Sequence, residues 1–90
     1  MNDNLVALKR LAILKLIADN DGEFGWYNVE IRMGMKSEFP VQPLPYAILK
    51  SLSEEGYLRT EIPEGQTHDR YFITDAGIQL LRELEQGGTG

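Results

Sequence analysis

"DRYFITDAGIQLL", residues 69–81, passes from a polar edge through four residues of β-type sequence into a helix start, with no linker between them. Tyr71, Phe72 and Ile73 carry side chains that suit a half-buried strand. Thr74 offers a hydroxyl oxygen to the orphan amides of a following helix, and Asp75 stands where the positive end of the helix dipole favours a carboxylate. A strand that enters a helix so directly clamps a hairpin onto a helical core and leaves the hairpin loop to project. The other strand lies just upstream: "YLRTEI" (57–62) reaches it through "PEGQTHD" (63–69), whose Pro63 and Gly65 are turn residues.

Further upstream the pattern is helical. "PYAILKSLSEEG", residues 45–56, has Pro45 at a first helical position, which tolerates a missing amide, and Gly56 as a left-handed cap. On a helical projection Pro45, Ile48, Leu49 and Leu52 share one side, while Tyr46, Ala47, Lys50, Ser51, Ser53 and Glu54 share the other. The outer side is small and polar, as a helix entering a major groove needs, and an ordinary solvated helix face looks the same. "KSEFPVQPLP" (36–45) carries three of the four prolines and reads as a rigid loop, an extra strand or a cover over the start of the third helix. "GWYNVEIRMGM" places Trp26, Val29 and Met33 at helical spacing, and this aromatic and methionine stripe reads as core rather than as a ligand box.

The first helix starts at Asp3 or Asn4 and stops at "DNDG" (19–22). Its apolar residues form two groups: Ala7, Leu11, Leu14 and Ala18, and then Leu5, Val6, Ala12, Ile13, Leu16 and Ile17, with Lys9 in the middle of the second. One core needs one face, so the second group points to a further packing partner. The expected elements are helices 4–18, 25–34, 45–55 and 75–86, a wing over 57–74 and a frayed tail at 87–90. A mostly helical α+β fold of one domain follows: a winged helix-turn-helix with a two-stranded, at most three-stranded, antiparallel wing.

Composition narrows the chemistry. Ninety residues suit one core, and 42% hydrophobic with 26% charged residues is ordinary for a folded soluble protein. There is no cysteine and no apolar run approaching a membrane span, so the expected setting is cytoplasmic, with no membrane role. His68, the one histidine, stands beside Asp69 in the hairpin loop and has no second base or ligand near it in sequence. "DGEFGW" lacks the lysine and preceding strand of a phosphate loop. Glu54 and Glu55 diverge by about 100° around their helix. No enzyme activity, cofactor or metal is expected.

Three blocks, "ILKLIADNDGEFGWYNVEI", "YAILKSLSEEGYL" and "RYFITDAGIQLL", resemble the PadR-like family of bacterial transcriptional regulators and more distantly the MarR-type winged helices. The resemblance runs from about Leu11 to Leu84. It implies that residues 45–56 are a recognition helix and 57–74 a wing, and that the helix from Asp75 leads into dimerisation. By position it puts Tyr46, Lys50 and Ser51 on the DNA-facing helix and Arg59, His68 and Arg70 on the wing. Lys36 and Ser53 complete the expected contact set, and a homodimer through the first and last helices the expected assembly. The chain departs from the family in having Ser51 where a second adjacent basic residue is common, and in a wing where Glu61, Glu64 and Asp69 counter Arg59 and Arg70.

Net charge is −5, and from Trp26 to Phe72 five basic residues face seven acidic ones. Such a protein is repelled by nucleic acid at long range unless folding gathers its cations on one side. Two functions therefore stay open: a dimeric DNA-binding regulator, or a winged-helix protein-interaction module whose acidic surface meets a basic partner.

Overall fold

A computed structural model of the chain describes residues 3–35, 39 and 41–87, with side-chain surroundings given from Leu5 to Glu85. In chain order the elements are α1 (Asp3–Asp19), α2 (Trp26–Gly34), α3 (Pro45–Glu54), β1 (Leu58–Glu61), β2 (Arg70–Ile73) and α4 (Asp75–Gly87). This is a winged helix-turn-helix. β1 and β2 pair antiparallel, Leu58 opposite Ile73 and Glu61 opposite Arg70, and the described residues form a two-stranded sheet. Lys36 and the suggested cap at Asp3 or Asn4 lie outside what is described.

The core forms where the apolar faces meet. Leu14 and Ile17 of α1, Val29 of α2, Ile48, Leu49 and Leu52 of α3, Leu58 of β1, Tyr71 of β2 and Leu81 of α4 are buried together, as their spacing predicts. Ile73 packs against this cluster half-buried, and Ile13, Phe24 and Met33 join the core as well.

Two expectations change. The second apolar group of α1 meets its partner inside the same chain, since Ile13 and Ile17 are fully buried. Lys9, the charge that interrupts this group, is only 3% exposed. Its ammonium donates to the carbonyl oxygens of Val41 (3.2 Å) and Pro43 (2.6 Å). Burial holds its pKa below the ordinary lysine range, with Glu30 pulling the other way. The proline segment thus rests on α1, and its carbonyls satisfy a buried cation that would otherwise be costly.

The wing is anchored at both ends. At its outer edge the Gly22 amide donates to the Tyr71 carbonyl (3.0 Å) and the Tyr71 amide to the Phe24 carbonyl (2.8 Å). The Ile73 amide donates to the Asp21 carboxylate at 2.9 Å. The "DNDG" stop signal therefore also serves as an edge for β2. Gly22 is needed there twice: its φ is +77°, and a Cβ would collide with the Phe72 ring.

At its inner end Thr74 joins three elements. Its amide donates to the Tyr57 carbonyl (3.1 Å). Its hydroxyl donates to the Gly56 carbonyl (2.6 Å) and accepts from the Gly77 amide (3.1 Å), which makes Thr74 the cap of α4. Thr74→Val removes both hydroxyl bonds while keeping the shape. It is expected to lower unfolding free energy by about 1–2 kcal/mol, read from urea midpoints.

Candidate nucleic-acid interface

α3 presents to solvent the side that the projection predicts, but only in part. Tyr46, Ala47, Lys50 and Glu54 are exposed. Among the described residues Lys50 makes no hydrogen bond or ion pair, so its ammonium stands open on the middle of the helix. Ser51 faces α1 instead. Its hydroxyl donates to Glu55 (2.7 Å) and accepts from Arg10 (3.2 Å), while the Arg10 guanidinium grips both Glu55 oxygens at 3.0 and 3.1 Å. The Ser51 hydroxyl, followed by Arg10, holds the Glu55 carboxyl below its usual pKa. The Ser53 hydroxyl is covered and has no partner among the described residues. Ser51 is thus engaged away from the open face that holds Tyr46 and Lys50, and the Ser53 hydroxyl is covered.

The wing cations differ in the same way. Arg59 projects from β1, about half-exposed, paired with Glu61 and lying over the Phe72 ring at 4.5 Å from its centroid. Arg70, at the loop end of β2, turns toward the start of α2. Its guanidinium donates to Gln66 (3.0 Å), to the Glu23 carbonyl (3.3 Å) and to Asn28 Oδ1 (3.3 Å). Asn28 Oδ1 also accepts the Gly25 amide at 3.0 Å, so Arg70 fastens β2 to the start of α2. His68 is exposed on the wing loop.

Folding therefore gathers Tyr46, the wing-loop residues Thr67, His68 and Asp69, and Tyr71 around one concavity, which Trp26 also lines. Trp26 had been assigned to a core stripe. Its position at the first turn of α2 leaves it about half-exposed, edge to face with Tyr46 at 6.4 Å between ring centroids. Helical spacing to Val29 and Met33 could not reveal this, because the end of a short helix extends past the core it packs on.

A second surface lies on the far side. Ala7, Leu8 and Leu11 of α1 and Leu84 of α4 line an open apolar hollow of about 400 Å³. Leu8 and Leu84 are exposed there. Lys15 and Glu85 pair at 3.5 Å and hold α4 along α1. Among the described residues no group of three or more histidine, aspartate or glutamate side chains is placed to hold a metal, and no helix is long and apolar enough to cross a membrane.

No family model matches the sequence, and no curated protein matches it. Solved structures that share the fold include the following two. One is the "putative transcriptional regulator TA0346" of Thermoplasma acidophilum, 27% identical, with a TM-score of 0.70, covering 92% of this chain and 82% of its own. The other is smu.1704 of Streptococcus mutans UA159, 25% identical, also with a TM-score of 0.70, covering 91% of this chain and 76% of its own. The chain thus has the fold of a transcriptional regulator.

Proposed function

We propose that this protein is a DNA-binding transcriptional regulator of PadR-like type, with α3 in the major groove and the wing on the adjacent backbone. The observation that carries the reading is the open side of α3, where Tyr46, Ala47 and Lys50 stand exposed beside the wing. Small and polar residues there permit close approach to base edges, and Lys50 is a cation that forms no ion pair among the described residues. A fold shared over most of its length with a neighbour named as a transcriptional regulator supports it.

In this reading Tyr46 and Lys50 contact the groove, and Arg59 and His68 contact the backbone from the wing. Lys36, just before the proline segment, adds a phosphate contact. Ser51, Ser53 and Arg70 set the geometry of the helix and the hairpin, since their polar groups are engaged or covered. The hollow lined by Leu8, Leu11 and Leu84 joins two copies, so that two recognition helices read related half-sites. The protein acts in the cytoplasm and without a cofactor.

A protein-interaction module is the second reading, and one observation favours it. Arg10, Lys15 and Arg59 are each paired with a carboxylate, which leaves few cations to neutralise phosphate. DNA affinity is accordingly modest and salt-sensitive.

The test is retention of a randomised duplex pool on the purified protein at low and moderate salt, followed by sequencing. Enrichment of a pseudo-palindromic site is expected. If nothing is retained even at low salt, the DNA reading fails and the interaction module stands. With a selected site in hand, Lys50→Ala is expected to weaken binding and to reduce the slope of log K against log salt by about 1 per subunit.

A further inference from the structure

Trp26 of α2, Tyr46 of α3 and Tyr71 of β2 line an open cleft of about 630 Å³ together with Thr67, His68 and Asp69 of the wing loop. Its volume falls in the range of small-molecule sites, about 300–1,000 Å³. Three aromatic rings from three separate elements converge on it, and Trp26 and Tyr46 are left 46% and 52% exposed. Trp26 also meets Tyr27 edge to face, with centroids 5.7 Å apart. Trp26 and Tyr46 brace one another outside the core, while Tyr71 is a core residue whose edge forms the floor.

The charge of the site has a definite sign. Asp69 carries the one formal charge among the lining residues. The guanidinium of Arg70, next in sequence, does not line the cleft and is engaged by Gln66, Glu23 and Asn28. The Tyr71 phenol is pushed up chiefly by burial, and its acidic neighbours Tyr46 and Asp69 push it further in the same direction. The formal charge on the lining is therefore negative. Aromatic faces present the negative part of their quadrupole and attract a cation, best where water is excluded. An anion would meet both the ring faces and Asp69, and a neutral apolar guest would strip water from Asp69 without replacing it.

We propose that this cleft binds an organic cation, an alkylated or quaternary ammonium, seated against Trp26, Tyr46 and Tyr71 with Asp69 as its counter-charge. The site is built within one subunit and is separate from the hollow between α1 and α4. One consequence rests on the DNA-binding reading: the occupant lies between the first turn of α3 and the wing loop, so it competes with duplex for Tyr46 and His68.

Trp26 is the one tryptophan in the chain, so its emission reports the cleft directly. The intact protein is titrated with benzyltrimethylammonium chloride, without DNA, against sodium chloride at matched ionic strength and against uncharged benzyl alcohol. A saturable change at millimolar or lower concentration is expected with the cation, none with sodium chloride and a weaker one with benzyl alcohol. Asp69→Asn and Tyr46→Leu, both at exposed positions, are each expected to weaken binding about 2- to 30-fold with an unchanged thermal midpoint. Linear, non-saturating quenching overturns the proposal, as does equal binding of benzyl alcohol or full affinity in both variants. A protein that binds the cation but no DNA keeps this site and loses the DNA reading. A protein that binds DNA and not the cation does the reverse.

Discussion

Gly77→Ala is expected to destabilise the protein by about 2–3 kcal/mol, the upper part of the usual range for overpacking, although alanine is ordinarily the better helix former. In an open helix the exchange would be favourable by about 1 kcal/mol. Here the sign reverses, because a Cβ on Gly77 would overlap the carbonyl oxygen of Tyr57 and approach Ile73 Cγ1 to 2.8 Å. The Ile73 side chain has rotamers to give, but the Tyr57 carbonyl does not. It accepts the Thr74 amide at 3.1 Å and so belongs to the same joint. The first turn of α4 would have to lift away from the end of α3.

Gly34→Ala is the matched control, since a Cβ there meets nothing within 4 Å. Urea midpoints of the two variants check the expectation. Gly77→Ala should fall clearly and Gly34→Ala should hold or rise slightly. Equal midpoints would show that the close approach at Tyr57 is not what demands glycine.

Leu49→Ala is expected to cost about 2–5 kcal/mol, through lost burial and the cavity left behind. Leu49 is fully buried on the inner side of α3, amid α1 and α2 residues that are themselves fully buried. A domain of this size has about 5–15 kcal/mol in total, so this one truncation removes a large share. The effect should appear as a lower denaturant midpoint with little change in slope. Lys50→Ala, at the next residue and on the solvent-facing side of the helix, should change stability by less than about 0.5 kcal/mol. Together the two separate what holds α3 in place from what α3 presents. A large loss of stability from Lys50→Ala would mean that the outer side of the helix is not open.

The sequence went further with the fold than with the site, and particular residues show why. The inner side of α3 is legible because Pro45, Ile48, Leu49 and Leu52 repeat at helical spacing and are all buried. Thr74 was legible as a cap because its partner, the Gly77 amide, is three residues away. Its second bond, to the Gly56 carbonyl, spans eighteen residues and leaves no trace in local pattern.

The site depends on contacts of the second kind. Ser51, Lys50 and Tyr46 look alike on a projection, yet Arg10, forty-one residues upstream, draws Ser51 and Glu55 toward α1 and leaves the other two open. Arg70 read as a wing cation, and the turn before α2 made it a fastening of the hairpin. Lys9 looked like an interruption of an apolar face until the carbonyls of Val41 and Pro43 closed over it. Trp26 looked like core because its helical neighbours are core.

The sequence by itself determined the elements, their order and the shared hydrophobic core, because helix spacing, strand preference, caps and turns act over a few residues. Only the tertiary structure decided which polar side chains are spent on holding the chain together and which remain available to a ligand. Charge pairing and burial act between whatever residues folding brings within a few ångströms, however far apart they stand in the chain.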